Sequence, residues 1–147
     1  MVNWQKVTID DLRKLEALKN SLNSIQEKRA ALELQAGAVR SSMRSTEAVS
    51  GSGANKAEDK MVDNIIEKER LGDNYTATVR LIRRVEKGLE LLSDAERKIL
   101  DRFYIHRIPD HVDRLCEELG YEKTRVYEMK ETALRKLTYA MYGVQDL

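Results

Sequence analysis

Two rows of apolar residues at heptad spacing constrain this chain more than any other feature. Leu15, Leu22, Ala36 and Met43 fall seven or fourteen residues apart, and Leu18, Ile25, Leu32 and Val39 repeat the pattern three places on. Side chains at that spacing line one stripe of a helix, whereas a half-buried strand would alternate apolar and polar residues. Arg29 is the polar interruption of the seam. The helix is expected over residues 8–49, with Thr8 as N-cap and Asp10 and Asp11 in the first turn. At 1.5 Å per residue it would be about 60 Å long. Intrinsic propensity does not hold so long a helix in water, so the seam needs a partner.

Residues 50–55, SGSGAN, interrupt the pattern, and the stretch near 45–56 has the Ser- and Gly-rich composition of a loop. Residues 56–92 then read as a second long helix. Its stripe is Met61, Ile65, Tyr75, Val79, Ile82, Leu89 and Leu92, with Gly72 inside it. Folding this stripe back on the first seam as an antiparallel, coiled-coil-like hairpin is the simplest solution. Pairing between two copies of the chain is the competing one, and the pattern does not choose.

The third segment starts at Ser93, where Ser93-Asp94-Ala95-Glu96 matches a capping box and Leu92 can staple the entry. A helix is expected to about Tyr104, burying Ile99, Leu100 and Phe103. A connector with Pro109, the chain's one proline, follows. A second helix over residues 111–119 would bury Val112, Leu115 and Cys116. Gly120 is placed to end it in the left-handed conformation. A third helix, from near Glu122 past Leu137, would bury Val126, Met129, Ala133, Leu134 and Leu137. Tyr139, Met141 and Tyr142 form a short apolar tail expected to pack back on this domain. The fold class is therefore all-α, with a helical hairpin over residues 1–92 and three helices in helix-turn-helix order over residues 93–147.

Composition narrows the function. Charged residues make up 35% of the 147-residue chain and aromatics 5%, as in a water-exposed helical protein with long charged faces. One cysteine and two histidines leave no internal disulfide and no metal-site spacing. Cys116 lies on an apolar stripe, which makes it a core residue, and His106 and His111 flank the Pro109 connector as surface or capping residues. No apolar run reaches the length of a membrane span, and the N-terminus has no signal-peptide pattern. No phosphate-cradling loop, nucleophile elbow or paired-carboxylate pocket stands out, so neither an enzyme nor a cofactor is expected. A reducing, cytoplasmic setting follows.

The residues Leu115-Cys116, Leu119-Gly120-Tyr121, Arg125-Val126, Met129 and Ala133-Leu134-Arg135-Lys136-Leu137 carry a resemblance to region 4 of sigma-70-type sigma factors. The upstream SDAERKIL, from Ser93 to Leu100, looks like the opening of the same region. With its helical N-terminal part and Ser/Gly-rich interruption, the chain is similar to phage and prophage regulators of the RinA/ArpU kind. That resemblance implies a regulator of phage late genes, acting in the bacterial host cytoplasm with double-stranded DNA and host RNA polymerase as partners. His111, Cys116 and Glu128 depart from the usual sigma pattern at a helix cap, a small-residue position and a base-reading position.

A recognition helix reads bases with its N-terminal residues. If Val126, Met129 and Ala133 face the core, then Lys123, Thr124, Arg125, Tyr127, Glu128 and Lys130 turn outward. The resemblance places Lys123, Thr124, Arg125, Tyr127 and Glu128 nearest a promoter element. Arg125 suits a bidentate contact to guanine, and Lys123, Lys130 and Arg135 suit phosphates. Residues 123–136 hold five basic and two acidic residues, but residues 93–147 hold ten basic and eleven acidic ones. Phosphate affinity scales with neutralised charge, so one such domain should bind modestly and gain from a second copy or a polymerase. Two other readings stay open: a small-terminase-like DNA-packaging subunit, and a coiled-coil adaptor that binds no DNA. Trp4 and Tyr75 are the only aromatics before residue 93, too few to hold melted promoter bases.

Overall fold

Asn3, not Thr8, starts the first helix. Its side-chain oxygen accepts a hydrogen bond from the Lys6 backbone N–H at 3.0 Å, which leaves Trp4 as the first helical residue. Thr8 is fully buried one turn in, and its hydroxyl donates to the Trp4 carbonyl at 2.9 Å. Asp10 and Asp11 consequently lie beyond the first turn. The computed structural model describes residues 1–45 and 52–144. The protein is all-α, with no strand among the described residues. The helices are α1 (Trp4–Ser45), α2 (Ser52–Glu90), α3 (Asp94–Leu100), α4 (His111–Leu119) and α5 (Lys123–Tyr142), with a π-helical turn at Asp101–Ile105 after α3. Helix α2 begins four residues ahead of the expected Lys56, so Ser52–Asn55 are helical. Ser50 and Gly51 of the expected loop lie outside the described residues.

Two compact units divide the chain: residues 1–19 with 80–147, and residues 20–79. The division falls within α1 and α2. In the first unit, Leu12 and Leu15 of α1 and Ile82 and Val85 of α2 are buried together with Ile99, Leu100, Leu115, Val126, Leu134 and Leu137. Gly88 is the point of close approach: a Cβ built there would stand 2.6 Å from Leu137 Cδ1 and 3.4 Å from Met141 Cγ. The start of α1 also grips the end of α5. Thr138 Oγ1 lies 3.0 Å from Thr8 Oγ1 and 2.7 Å from the Leu134 carbonyl, its single proton serving one of the two. The Tyr142 hydroxyl donates to Asp11, and the Trp4 and Tyr142 rings stack with centroids 4.9 Å apart. The C-terminal tail packs on α1 and α2 and not, as expected, on the helices of residues 93–147: Met141 is buried by Gly88 and Tyr142 meets Trp4 and Asp11, while Tyr139 stays exposed.

In the second unit, α1 and α2 meet in antiparallel register. Gln26 donates to the Tyr75 hydroxyl at 3.2 Å, and Glu33 pairs with Lys68 at 3.9 Å, so seven residues forward on α1 are seven back on α2. Asn64 donates to the Leu32 carbonyl at 2.9 Å. The seam residues Leu22, Ile25 and Leu32 are half-buried and Ala36 is buried, while Arg29 is exposed. On α2 the stripe differs from expectation: Leu71 is buried and Ile65 is 54% exposed. Side chains three and four apart from Leu71 face α1, and Ile65 lies off that row. The side chains of Val39 and Met43 lie outside the description.

Candidate nucleic-acid interface

Ser93 and Glu96 fix the entry to the C-terminal helices. Ser93 Oγ accepts from the Glu96 N–H, and Glu96 Oε1 accepts from the Ser93 N–H, each at 3.2 Å, completing the capping box. Glu96 also takes the Lys136 ammonium at 3.1 Å, tying α3 to α5. Burial pushes its carboxyl up, but the Ser93 N–H, the Lys136 ammonium and the Ser93 hydroxyl together outweigh that and hold it below its ordinary value. Helix α3 is shorter than expected. After Leu100 the backbone widens into a π turn closed by the His106 N–H on the Asp101 carbonyl at 2.7 Å. The turn leaves Phe103 half-buried against a core of Ile99, Leu115 and Val126. Glu118 of α4 takes Lys98 at 2.8 Å, a bond that holds its carboxyl below the usual range.

Helix α4 spans the expected residues and ends at Gly120, whose φ of 72° and ψ of 26° are left-handed. Its N–H donates to the Cys116 carbonyl at 2.9 Å, the usual closure of a helix by glycine. Cys116 packs at the edge of the Ile99–Leu115–Val126 core, as its place on the stripe implied. Asp110 before α4 has a φ of 55°, an uncommon conformation for a residue with a Cβ, and makes no side-chain cap. His111 points its ring edge-on at Phe103, with centroids 4.6 Å apart. His106 is exposed and hydrogen-bonds Asp101 at 2.7 Å.

Helix α5 begins three residues after Gly120. Val126, Ala133, Leu134 and Leu137 are buried and Met129 half-buried, which sets the rotation of the helix. That rotation leaves Lys123, Thr124, Arg125, Tyr127, Glu128 and Arg135 exposed, as read from the sequence. Lys123 pairs with Asp113 of α4 at 3.3 Å, and Arg125 with Glu128 at 3.6 Å. Thr124, Glu128 and Arg135 share one face by their spacing. Lys130 is placed differently from the other six. Its side chain is only 17% exposed, and its ammonium lies 5.3 Å from the Phe103 ring centre and 5.4 Å from that of Tyr127, with Glu131 at 3.1 Å. It fills a cation–π site inside the domain. Beside Lys123 and Tyr127, a surface cleft lined also by Arg107, Pro109, Asp110 and His111 opens at the start of α4. Arg107 of this cleft fell outside the sequence reading and His111 was read only as a surface or capping residue, because only the fold brings the connector next to α5.

A family model described as "Protein of unknown function (DUF1492)" matches residues 38–138. The chain belongs to the DUF1492 family. The DUF1492 match takes in the whole candidate interface and stops at Thr138, leaving outside it the α1 residues Thr8 and Asp11 that hold the end of α5. No curated protein and no solved structure matches the chain. Among the described residues no cluster of His, Cys, Asp or Glu could hold a metal ion, and no helix is long and apolar enough to cross a membrane.

Proposed function

We propose that this DUF1492 protein is a sequence-specific DNA-binding regulator of transcription in the host cytoplasm, with α4 and α5 acting as a helix-turn-helix and α5 entering the major groove. The resemblance to sigma region 4 and to RinA/ArpU-type regulators suggests late-gene control together with host RNA polymerase. One observation carries the reading: the first turns of α5 present Lys123, Thr124, Arg125, Tyr127 and Glu128 together at the surface. The opposite face of the same helix is locked into the core through Val126, Ala133 and Leu137. A rigid helix with a polar, partly basic N-terminal face is what base reading requires.

The ion pairs on that face do not oppose the reading. Exposed pairs such as Arg125–Glu128 contribute roughly 0–1 kcal/mol, so Arg125 can exchange Glu128 for a guanine edge at small cost. Both aromatics of the N-terminal helices are engaged: Trp4 stacks on Tyr142, and the Tyr75 hydroxyl accepts from Gln26. The protein should therefore bind duplex promoter DNA without melting it. The test is selection from a random duplex library, followed by gel shift of the selected site. Arg125→Ala should weaken specific binding by roughly tenfold to a hundredfold, the equivalent of about 1–3 kcal/mol, with an unchanged thermal melt. Equal affinity of the two proteins for the selected site would refute the assignment of α5.

A further inference from the structure

The second unit carries apolar surface that neither of its helices covers. On α2, Asn64, Lys68 and Tyr75 bond with α1 and Leu71 is buried, so this row faces α1. Val62, Ile65 and Ile66 lie on the far side of the same helix, exposed by 54%, 54% and 58%. Among the described residues of this unit only Ala36 and Leu71 are buried apolar side chains. Three adjacent β-branched residues left open on so thin a core form a binding surface in waiting. Their rim is acidic: Glu58, Asp59, Asp63, Glu69 and Asp73 are all exposed around them. Arg70, one turn beyond Ile66, is held by Glu67 through two hydrogen bonds, which raise the guanidinium and lower the carboxyl.

Charge decides what fits. A second copy of α2 does not. Paired in parallel, Glu69 would meet Glu69 of the copy in the seam. Paired antiparallel with Val62 on Ile65, Glu58 would meet Glu69. Like charges desolvated in a seam act against pairing. We propose instead that this face docks a basic amphipathic helix of another protein. Its apolar side chains would seat on Val62, Ile65 and Ile66, and its lysines or arginines would meet Glu58, Asp59, Glu69 and Asp73. Helix-in-groove docking of this kind places anchors at i, i+3 and i+4, the spacing of Val62, Ile65 and Ile66. The proposal does not rest on DNA binding.

The test titrates the full-length protein into a labelled amphipathic peptide helix of leucine and lysine, with a leucine–glutamate peptide as control, followed by fluorescence anisotropy. The lysine peptide should bind saturably and the glutamate peptide should not. The double variant Ile65→Ser/Ile66→Ser and the charge reversal Glu69→Lys should each weaken binding by roughly tenfold or more. Both should melt like the parent, because the altered side chains are exposed, and both should keep parental affinity for duplex DNA. Glu69→Lys keeps the test decisive should the double variant unfold. Absence of binding by the lysine peptide, or equal binding by parent and variants, would overturn the proposal. So would light scattering that finds a dimeric parent and a monomeric double variant, because a second copy would then cover the face.

Discussion

Replacing Gly88 and Gly72 by alanine in parallel probes how tightly α2 is packed on α5. Both glycines lie inside α2, where alanine is favoured by about 1 kcal/mol on backbone grounds. Around Gly72 an added Cβ meets nothing within 4 Å, so Gly72→Ala should stabilise the protein by roughly 0.5–1 kcal/mol. At Gly88 the same methyl would sit 2.6 Å from Leu137 Cδ1 and 3.4 Å from Met141 Cγ. Leu137 has no exposed surface, so its methyl can withdraw only by pushing on neighbours. Overpacking of that kind costs about 1–3 kcal/mol, which offsets the backbone gain and leaves Gly88→Ala neutral to about 2 kcal/mol destabilised.

The decisive quantity is the difference between the two variants, in which the shared backbone gain cancels and the overpacking cost of roughly 1–3 kcal/mol remains. Urea denaturation followed by circular dichroism measures it, with the m-value checked for constancy. On heating, the same difference should separate the melting temperatures by several degrees, at about 2–4 °C per kcal/mol for a chain of this length. If both alanines stabilise equally, Leu137 does not press on Gly88, and the argument that α2 holds α5 in place by close approach fails.

Three further perturbations address the ends of the α3–α5 assembly. Ser93→Ala removes the hydroxyl cap of a seven-residue helix and should cost about 0.5–2 kcal/mol in denaturant. Glu96 has a carboxyl held below its ordinary value, so the stability it contributes is complete above the unfolded carboxylate pKa. That stability is lost as pH falls through the folded value. Glu96→Gln should therefore be less stable than the parent at neutral pH, and the two should converge in acid; a gap that persists at low pH would show that charge is not the cause. Tyr142 behaves in the opposite sense. Burial first, then its bond to Asp11, raises its hydroxyl to about 12, so the folded state keeps a proton that the unfolded state loses from about pH 10. Parental stability should fall across that interval relative to Tyr142→Phe, and parallel curves would contradict the Asp11 contact.

What the sequence disclosed and what it concealed separate along local and non-local lines. The capping box, the Gly120 turn and the outward face of α5 each depend on residues within a few positions of one another, and all three appear where the pattern put them, except that Lys130 leaves the outward face. Thr8 is an acceptable N-cap by type, yet it is buried opposite Thr138 and bonds back into its own helix. Its true place was set by Trp4 stacking on Tyr142, a contact across almost the whole chain. Ile65 and Leu71 are equally apolar, and α2 has apolar residues on two faces, so periodicity alone could not say which faces α1. The π turn has no sequence signature here, and it carries the Phe103 ring to which Lys130 binds.

That placement of Lys130 alters the expected strength of DNA binding. Of the five cations between Lys123 and Lys136, Lys130 is held over two rings and Lys136 is bonded to the buried Glu96. Lys123, Arg125 and Arg135 remain on the surface, the first two in exposed pairs that water and phosphate can replace. Each neutralised phosphate contributes a slope of about −0.9 to the dependence of log affinity on log salt, so one head should give a slope of roughly −3. Raising salt from about 50 to 200 mM would then weaken binding some fortyfold, on the order of 2 kcal/mol. A slope of roughly −5 to −6 would mean that two heads engage one site, and gel shifts across salt would distinguish the cases. A slope near zero would mean that the exposed face of α5 does not meet phosphate at all, and the nucleic-acid reading of this face would fall with it.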